Sequence, residues 1–193
     1  MPRNLPNSLT YGRIALIPLL VMTFYFQGDA ADWTALGIFI LAGITDFFDG
    51  YLARSMQQQS TLGAMLDPIA DKLLVGAAIV MLVYSRRIDG ITVIPAVIIL
   101  CREFLVSGLR EFLASLKVSV PVSRLAKWKT AGQMVALGFL LAGEAGDKVM
   151  PYNHEIGVFG LWMAAILTLY TGYDYLRAGL RHANGGDAGG GGS

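Results

Sequence analysis

Six long apolar stretches, separated by short polar joints, organise this chain. They run over residues 9–26, 33–54, 61–84, 91–112, 127–143 and 156–180. About 20 apolar residues are enough for a helix to cross the hydrocarbon of a bilayer. No stretch alternates apolar and polar positions as a barrel strand would, so helices are the spanning element this pattern predicts. The expected fold is an all-α integral membrane protein with six transmembrane helices. A short interfacial segment over residues 2–7 leads into the first of them. Residues 1–183 read as a single membrane-embedded domain. Residues 184–193 are mostly Gly with one Asp, too poor in apolar groups to bury a core, and are expected to be disordered. Their last five, Gly-Gly-Gly-Gly-Ser, resemble an appended linker.

Composition agrees with this picture. Apolar residues make up 54% of the chain and charged residues 15%, against about a quarter charged in an ordinary soluble domain. The basic residues are scattered without a stripe, which argues against nucleic acid as a partner. A single cysteine, Cys101, excludes a disulfide within one chain and reads as a small core residue. No small-residue cleavage site follows the first apolar stretch, so no removable leader is expected.

The loops give an orientation. One side collects Arg3, Arg13, Arg54, Arg110, Lys117, Arg124, Lys127, Lys129, Arg177 and Arg181. By the positive-inside rule that side, with both termini, is cytoplasmic. Arg86 and Arg87 fall on the other side and break the rule. Tyr11, Phe24, Tyr25, Phe26, Trp33, Trp128 and Tyr152 are expected at headgroup depth. No Gly-x3-Gly pattern marks a face for helix pairing.

One polar feature interrupts the apolar pattern where it is most costly. Asp46, Asp49, Gly50, Ala53 and Arg54 close the second stretch, and Gly63, Asp67 and Asp71 open the third. At about 100° per residue, Asp46, Asp49, Gly50 and Ala53 share a helix face, and Gly63, Asp67 and Asp71 climb one stripe. The short joint between the two helices predicts an antiparallel pair whose acidic stripes converge. Ionisable groups at membrane depth are functional by default. Four uncompensated carboxylates there would be prohibitive, so either most are protonated or cations neutralise them. An all-oxygen donor set selects Mg²⁺ or Mn²⁺, and four carboxylates suit two ions better than one. Gly50 and Gly63 leave room for a bulky polar ligand, and Pro68 is expected to kink the third helix. Buried pairing of these carboxylates with Arg54 and Lys72, or transport of a divalent cation or proton, are the competing explanations.

The spacing Asp-x2-Asp-Gly-x2-Ala-Arg-x8-Gly-x3-Asp-x3-Asp resembles the signature of the CDP-alcohol phosphatidyltransferases at all eight fixed positions. That resemblance implies a six-helix membrane enzyme, expected as a homodimer, in which an alcohol displaces CMP from a CDP-linked lipid. It implies that Asp46, Asp49 and Asp67 hold divalent metal on the diphosphate. Asp71 would touch metal as well and act as general base on the attacking hydroxyl. Gly50, Ala53 and Arg54, with Gly63, would belong to the face that receives the CDP group.

A second, basic group bears on the alcohol. Arg102 lies deep in the fourth stretch beside Glu103, Arg110 follows near its end beside Glu111, and Lys127 and Lys129 open the fifth. Arg102, Arg110, Lys127 and Lys129 would make an anion pocket suited to a phosphate, with the two glutamates as orienting partners. Asn7, Thr10 and Arg13 recur every three residues and would show the nucleotide a polar strip; an N-cap followed by an interfacial arginine explains them equally well. The opening Asn4-Leu5-Pro6-Asn7-Ser8-Leu9-Thr10-Tyr11-Gly12-Arg13, the run Asp67–Lys72, and the segments around Arg102 and Lys127 are similar to those of bacterial phosphatidylglycerophosphate synthases. This implies CDP-diacylglycerol as donor, sn-glycerol 3-phosphate as acceptor and a bacterial inner-membrane location. Inositol phosphate, serine or phosphatidylglycerol remain as other acceptors.

Overall fold

The computed structural model describes residues 5–56, 61–115 and 124–186, with side chains placed over most of 11–45, 69–114 and 128–173. Among the described residues there are six α-helices and no strands: α1 (Leu5–Thr23), α2 (Asp29–Met56), α3 (Thr61–Tyr84), α4 (Val93–Ser115), α5 (Arg124–Val149) and α6 (Asn153–Gly186). A single 3₁₀ turn, Gly90–Thr92, leads into α4. Each helix falls on one of the six apolar stretches, although α1 stops at Thr23, before the end of its stretch, and α4 begins at Val93, just inside its own. Most other ends extend further, because adding residues to a formed helix costs little. Thus α2 starts at Asp29, with Asp29 and Asp32 in a first turn that favours negative charge. Helix α6 continues to Gly186, past position 184, where the tail was expected to begin.

Helix α5 packs most extensively on α6, α1 lies against α2 and α3, and α4 lies against α6. The α5–α6 seam is close because it is built from small residues. A Cβ added at Gly160 would come within 2.9 Å of Ala136 Cβ, and one at Gly157 within 2.8 Å of Leu140 Cγ. Side chains on this seam recur at helical spacing: Lys129, Gln133, Ala136 and Leu140 on α5, and Gly157, Gly160, Ala164, Thr168 and Thr171 on α6. The predicted spans hold no Gly-x3-Gly pattern, yet Gly157 and Gly160 allow the same close approach within the chain.

Polarity is distributed unlike that of a water-soluble bundle. Arg13, Lys129, Gln133, Asn153, Thr168 and Thr171 are buried, while Leu41, Val80, Ile91, Phe104, Phe159 and Ile166 are more than half or nearly half exposed. Among the described residues two helices are long and apolar enough to cross a membrane, within Gly90–Ala114 and Asn153–Tyr173. Cys101 is exposed on α4 rather than in the core. An outer surface this apolar accepts a thiol without burying it.

Helix α3 continues through Pro68. A break appears in α5 at Gly143, whose φ of 50° and ψ of −141° are not helical. The interruption separates Leu141 from Ala145, which a regular helix would join by a hydrogen bond. The Leu141 carbonyl accepts from Arg87 Nη1 at 2.8 Å, and the Ala145 amide donates to Asp32 Oδ2 at 3.5 Å. Arg87 and Asp32 also form an ion pair with each other. One ion pair therefore takes the place of one broken helical bond. Arg87 lies over the Phe24 ring, 5.6 Å from its centroid, and Phe24 is half-buried beneath the guanidinium. Asn153 Nδ2 donates to the Phe139 carbonyl at 2.9 Å and joins the start of α6 to the same kink.

Candidate active site

The eight motif positions lie on α2 and α3, which adjoin each other and both border α1. Asp46, Asp49, Gly50, Ala53 and Arg54 occupy the last third of α2. Gly63, Asp67 and Asp71 occupy the first half of α3, so the two sets stand at the same end of the bundle. The side chains of Asp46, Asp49, Ala53, Arg54 and Asp67, and those of Asn7, Thr10 and Lys127, lie outside the described residues, as do the surroundings of Gly50 and Gly63. Asp71 is described and is half-buried. The donor set fits hard divalent metal: residues 43–71 offer carboxylates and neither His nor Cys.

Asp71 connects the motif to the basic group. Its charge acts on Lys129, which α5 carries fully buried at the same level. Lys129 donates to Glu103 Oε1 in an ion pair. The same oxygen lies 3.2 Å from Arg102 Nη1. Arg102 Nη2 is 3.3 Å from Thr171 Oγ1, which itself donates to the Leu167 carbonyl at 2.9 Å. The network of contacts thus runs α5, α4, α6: Lys129, Glu103, Arg102, Thr171, with the charge of Asp71 on α3 acting on it from a distance. It explains how two cations are tolerated in an apolar bundle. A buried ammonium without a partner would be strongly destabilising, and Glu103 supplies the shared counter-charge.

The structure brings Arg102 and Lys129 together as the sequence suggested. Arg110 is exposed and stands eight residues further along α4, about 12 Å at 1.5 Å per residue. Arg13, for which an interfacial position was one explanation, is fully buried. Sequence reasoning missed Thr171, Thr168 and Gln133. Each is an ordinary polar residue in an apolar run, and its role depends on the α5–α6 register.

Comparison with known proteins adds a decisive observation. The sequence model of the CDP-alcohol phosphatidyltransferases matches residues 3–170. The chain belongs to the CDP-alcohol phosphatidyltransferase family. Among individual relatives, the CDP-diacylglycerol–glycerol-3-phosphate 3-phosphatidyltransferase of Rickettsia bellii is 54% identical over 175 residues, covering 91% of this chain and 94% of that protein. The protein of the same description from Haemophilus influenzae is 41% identical over 179 residues, covering 92% and 94%. A rice protein described as cardiolipin synthase (CMP-forming) is 42% identical over 188 residues, covering 90% of this chain and 56% of its own length. For this CDP-alcohol phosphatidyltransferase, the match spans both the carboxylate motif and the Arg102–Lys129 region.

A long apolar groove of about 770 Å³ runs between α2 and α5. Ile44 and Gly43, beside the motif, mark one end, and Trp33 and Met150 mark the other. Gly43, Gly138, Ala142 and Gly146 keep its walls apart.

Proposed function

We propose that this protein transfers a phosphatidyl group from CDP-diacylglycerol to sn-glycerol 3-phosphate, giving phosphatidylglycerophosphate and CMP. The observation that carries this reading is the Arg102–Glu103–Lys129 cluster, part-buried at Arg102 and Glu103 and fully buried at Lys129, within range of the charge on Asp71. It sets cationic groups for an acceptor phosphate next to a carboxylate that can take the acceptor's proton. The description of the Rickettsia and Haemophilus relatives supports the same acceptor.

Asp46, Asp49, Asp67 and Asp71 would hold divalent metal, Mg²⁺ or Mn²⁺ and two ions per site, against the diphosphate. Bound there, it neutralises the diphosphate and stabilises the CMP leaving group. Gly50, Ala53, Arg54, Gly63, Asn7 and Thr10 line the CDP side, and Arg102, Arg110, Lys127 and Lys129 the acceptor side. Asp71 accepts the proton of the attacking hydroxyl as that oxygen bonds the phosphorus bearing the diacylglycerol. The bond from this phosphorus to the anhydride oxygen breaks, and CMP leaves with the electron pair. Holding both reactants in line accounts for much of the acceleration. The α2–α5 groove, opening two residues from Asp46, receives an acyl chain of the donor.

The exposed apolar surface supports a six-span membrane protein, placed in a bacterial inner membrane with both termini and the aspartates on the cytoplasmic side. A homodimer is the expected assembly. The test is CMP release by the detergent-purified protein with CDP-diacylglycerol, Mg²⁺ or Mn²⁺ and a panel of acceptors. Release that depends on glycerol 3-phosphate is expected. Release that depends instead on phosphatidylglycerol, serine or inositol phosphate would reassign the acceptor. Cation flux in liposomes with no CMP release would replace the enzyme with a transporter.

A further inference from the structure

The α5–α6 seam changes character along its length. Toward Gly143 it is small and apolar; toward the motif end its buried residues include Gln133 and Lys129 on α5 and Thr168 and Thr171 on α6. The antiparallel pairing of Gly160 with Ala136 and Gly157 with Leu140 places Thr168 level with Lys129. By the same pairing, the small side chains of Ala164 and Ala165 stand opposite Gln133.

This polar end holds unused hydrogen-bonding capacity. Gln133 Oε1, Thr168 Oγ1 and Arg102 Nε are buried and have no hydrogen-bond partner among the described residues. Gln133 is 2% exposed and Thr168 is 0% exposed, so bulk water does not serve them. Thr168 also departs from its neighbours in kind. Thr23, Thr34, Thr45 and Thr171 all return their hydroxyls to a carbonyl of their own helix at 2.6–2.9 Å. Buried polar atoms are nearly always paired, and an orphan calls for an explanation such as an absent ligand.

We propose that Gln133, with Thr168 and Arg102 Nε, receives the secondary hydroxyl of the acceptor and makes the site selective for a polyol phosphate. This rests on the acceptor reading given above. A hydroxyl both donates and accepts, and the three orphans offer one carbonyl acceptor, one hydroxyl and one N–H donor. Lys129 and Arg102 take the phosphate, Asp71 the primary hydroxyl, and Gln133 the hydroxyl between them. Gln133 is a specificity-determining residue, since the reacting oxygen is elsewhere.

The experiment compares glycerol 3-phosphate with 3-hydroxypropyl phosphate, which keeps the phosphate and the attacking hydroxyl but lacks the secondary one. The unaltered protein should favour glycerol 3-phosphate by about tenfold in kcat/KM, the scale of one buried hydrogen bond left unmade. Gln133→Met, of similar volume, should bring that ratio near one. It should do so by raising KM for glycerol 3-phosphate alone, with KM for CDP-diacylglycerol unchanged. Thr168→Val provides the same comparison should Gln133→Met fail to fold. An equal loss with both acceptors, or no preference in the unaltered protein, would overturn the proposal and leave the orphans to buried water. An unaltered protein that releases no CMP with either acceptor would defeat the acceptor reading itself, a result visible before any variant is made.

Discussion

The two ends of this bundle each hold buried charge, and they use it in opposite ways. At the Gly143 end, Arg87 is occupied by Asp32, the Leu141 carbonyl and the Phe24 ring, while Asp32 also takes the Ala145 amide. Donors and acceptors there match, and the result ties α1, α2, α5 and the α3–α4 connection together. At the motif end, Glu103 is shared between Lys129 and Arg102, yet Gln133, Thr168 and Arg102 Nε retain unused valence. A closed network strengthens a fold, whereas an open one keeps an energetic cost that a ligand can remove. The same residue types therefore close a network at one end and, under the proposed function, leave one open for a ligand at the other.

Substitutions should separate the two ends, beginning with the largest effect. Asp71→Asn should lower CMP release by about 10²- to 10⁴-fold, the usual contribution of a positioned base. Donor binding should persist, which a CDP-diacylglycerol binding assay on the same variant checks. Lys129→Met should raise the acceptor KM by about ten- to a hundredfold, as loss of a charge-assisted hydrogen bond predicts. Glu103 keeps Arg102 as its partner, so the thermal midpoint should move little.

The other end should show the reverse pattern. A Cβ at Gly143 would occupy the space of the Arg87 guanidinium, at a backbone conformation L side chains rarely adopt. Gly143→Ala should cost about 1–3 kcal/mol of stability, read by thermal unfolding in detergent. Both KM values should stay unchanged below the transition. The smallest effect concerns Lys148, which hydrogen-bonds the Asp29 carboxylate at 2.6 Å and has its ammonium held above the usual lysine pKa by that bond. A group with a raised folded pKa contributes fully below the ordinary lysine value, and that contribution fades as pH rises through the folded pKa. Melting curves above about pH 10.5 should therefore fall more steeply for the unaltered protein than for Lys148→Met. The pair is exposed, so the difference should be slight.

Several features were legible from order along the chain. The six long apolar runs placed the six helices, since no run alternated as a strand would. The spacing from Asp46 to Asp71 identified the carboxylate motif, since residues three or four apart share a helix face whatever surrounds them. Arg102 stood out because a cation in an apolar run needs a reason. The charge rule, by contrast, left Arg86 and Arg87 as exceptions. Arg87 is explained by a kink 56 residues away in sequence, which no local pattern announces.

Local spacing thus determined which helices form and which carboxylates share a stripe, because those properties depend on neighbours a turn away. Only the tertiary structure decided that Glu103 bridges Lys129 and Arg102, that Arg87 and Asp32 replace a missing helical bond, and that Gln133 and Thr168 are buried in the α5–α6 seam. Each of these depends on how separate helices pack, as where Gly157 and Gly160 let α6 approach α5 closely. That distance is a property of two packed surfaces, and neither strand of sequence contains it alone.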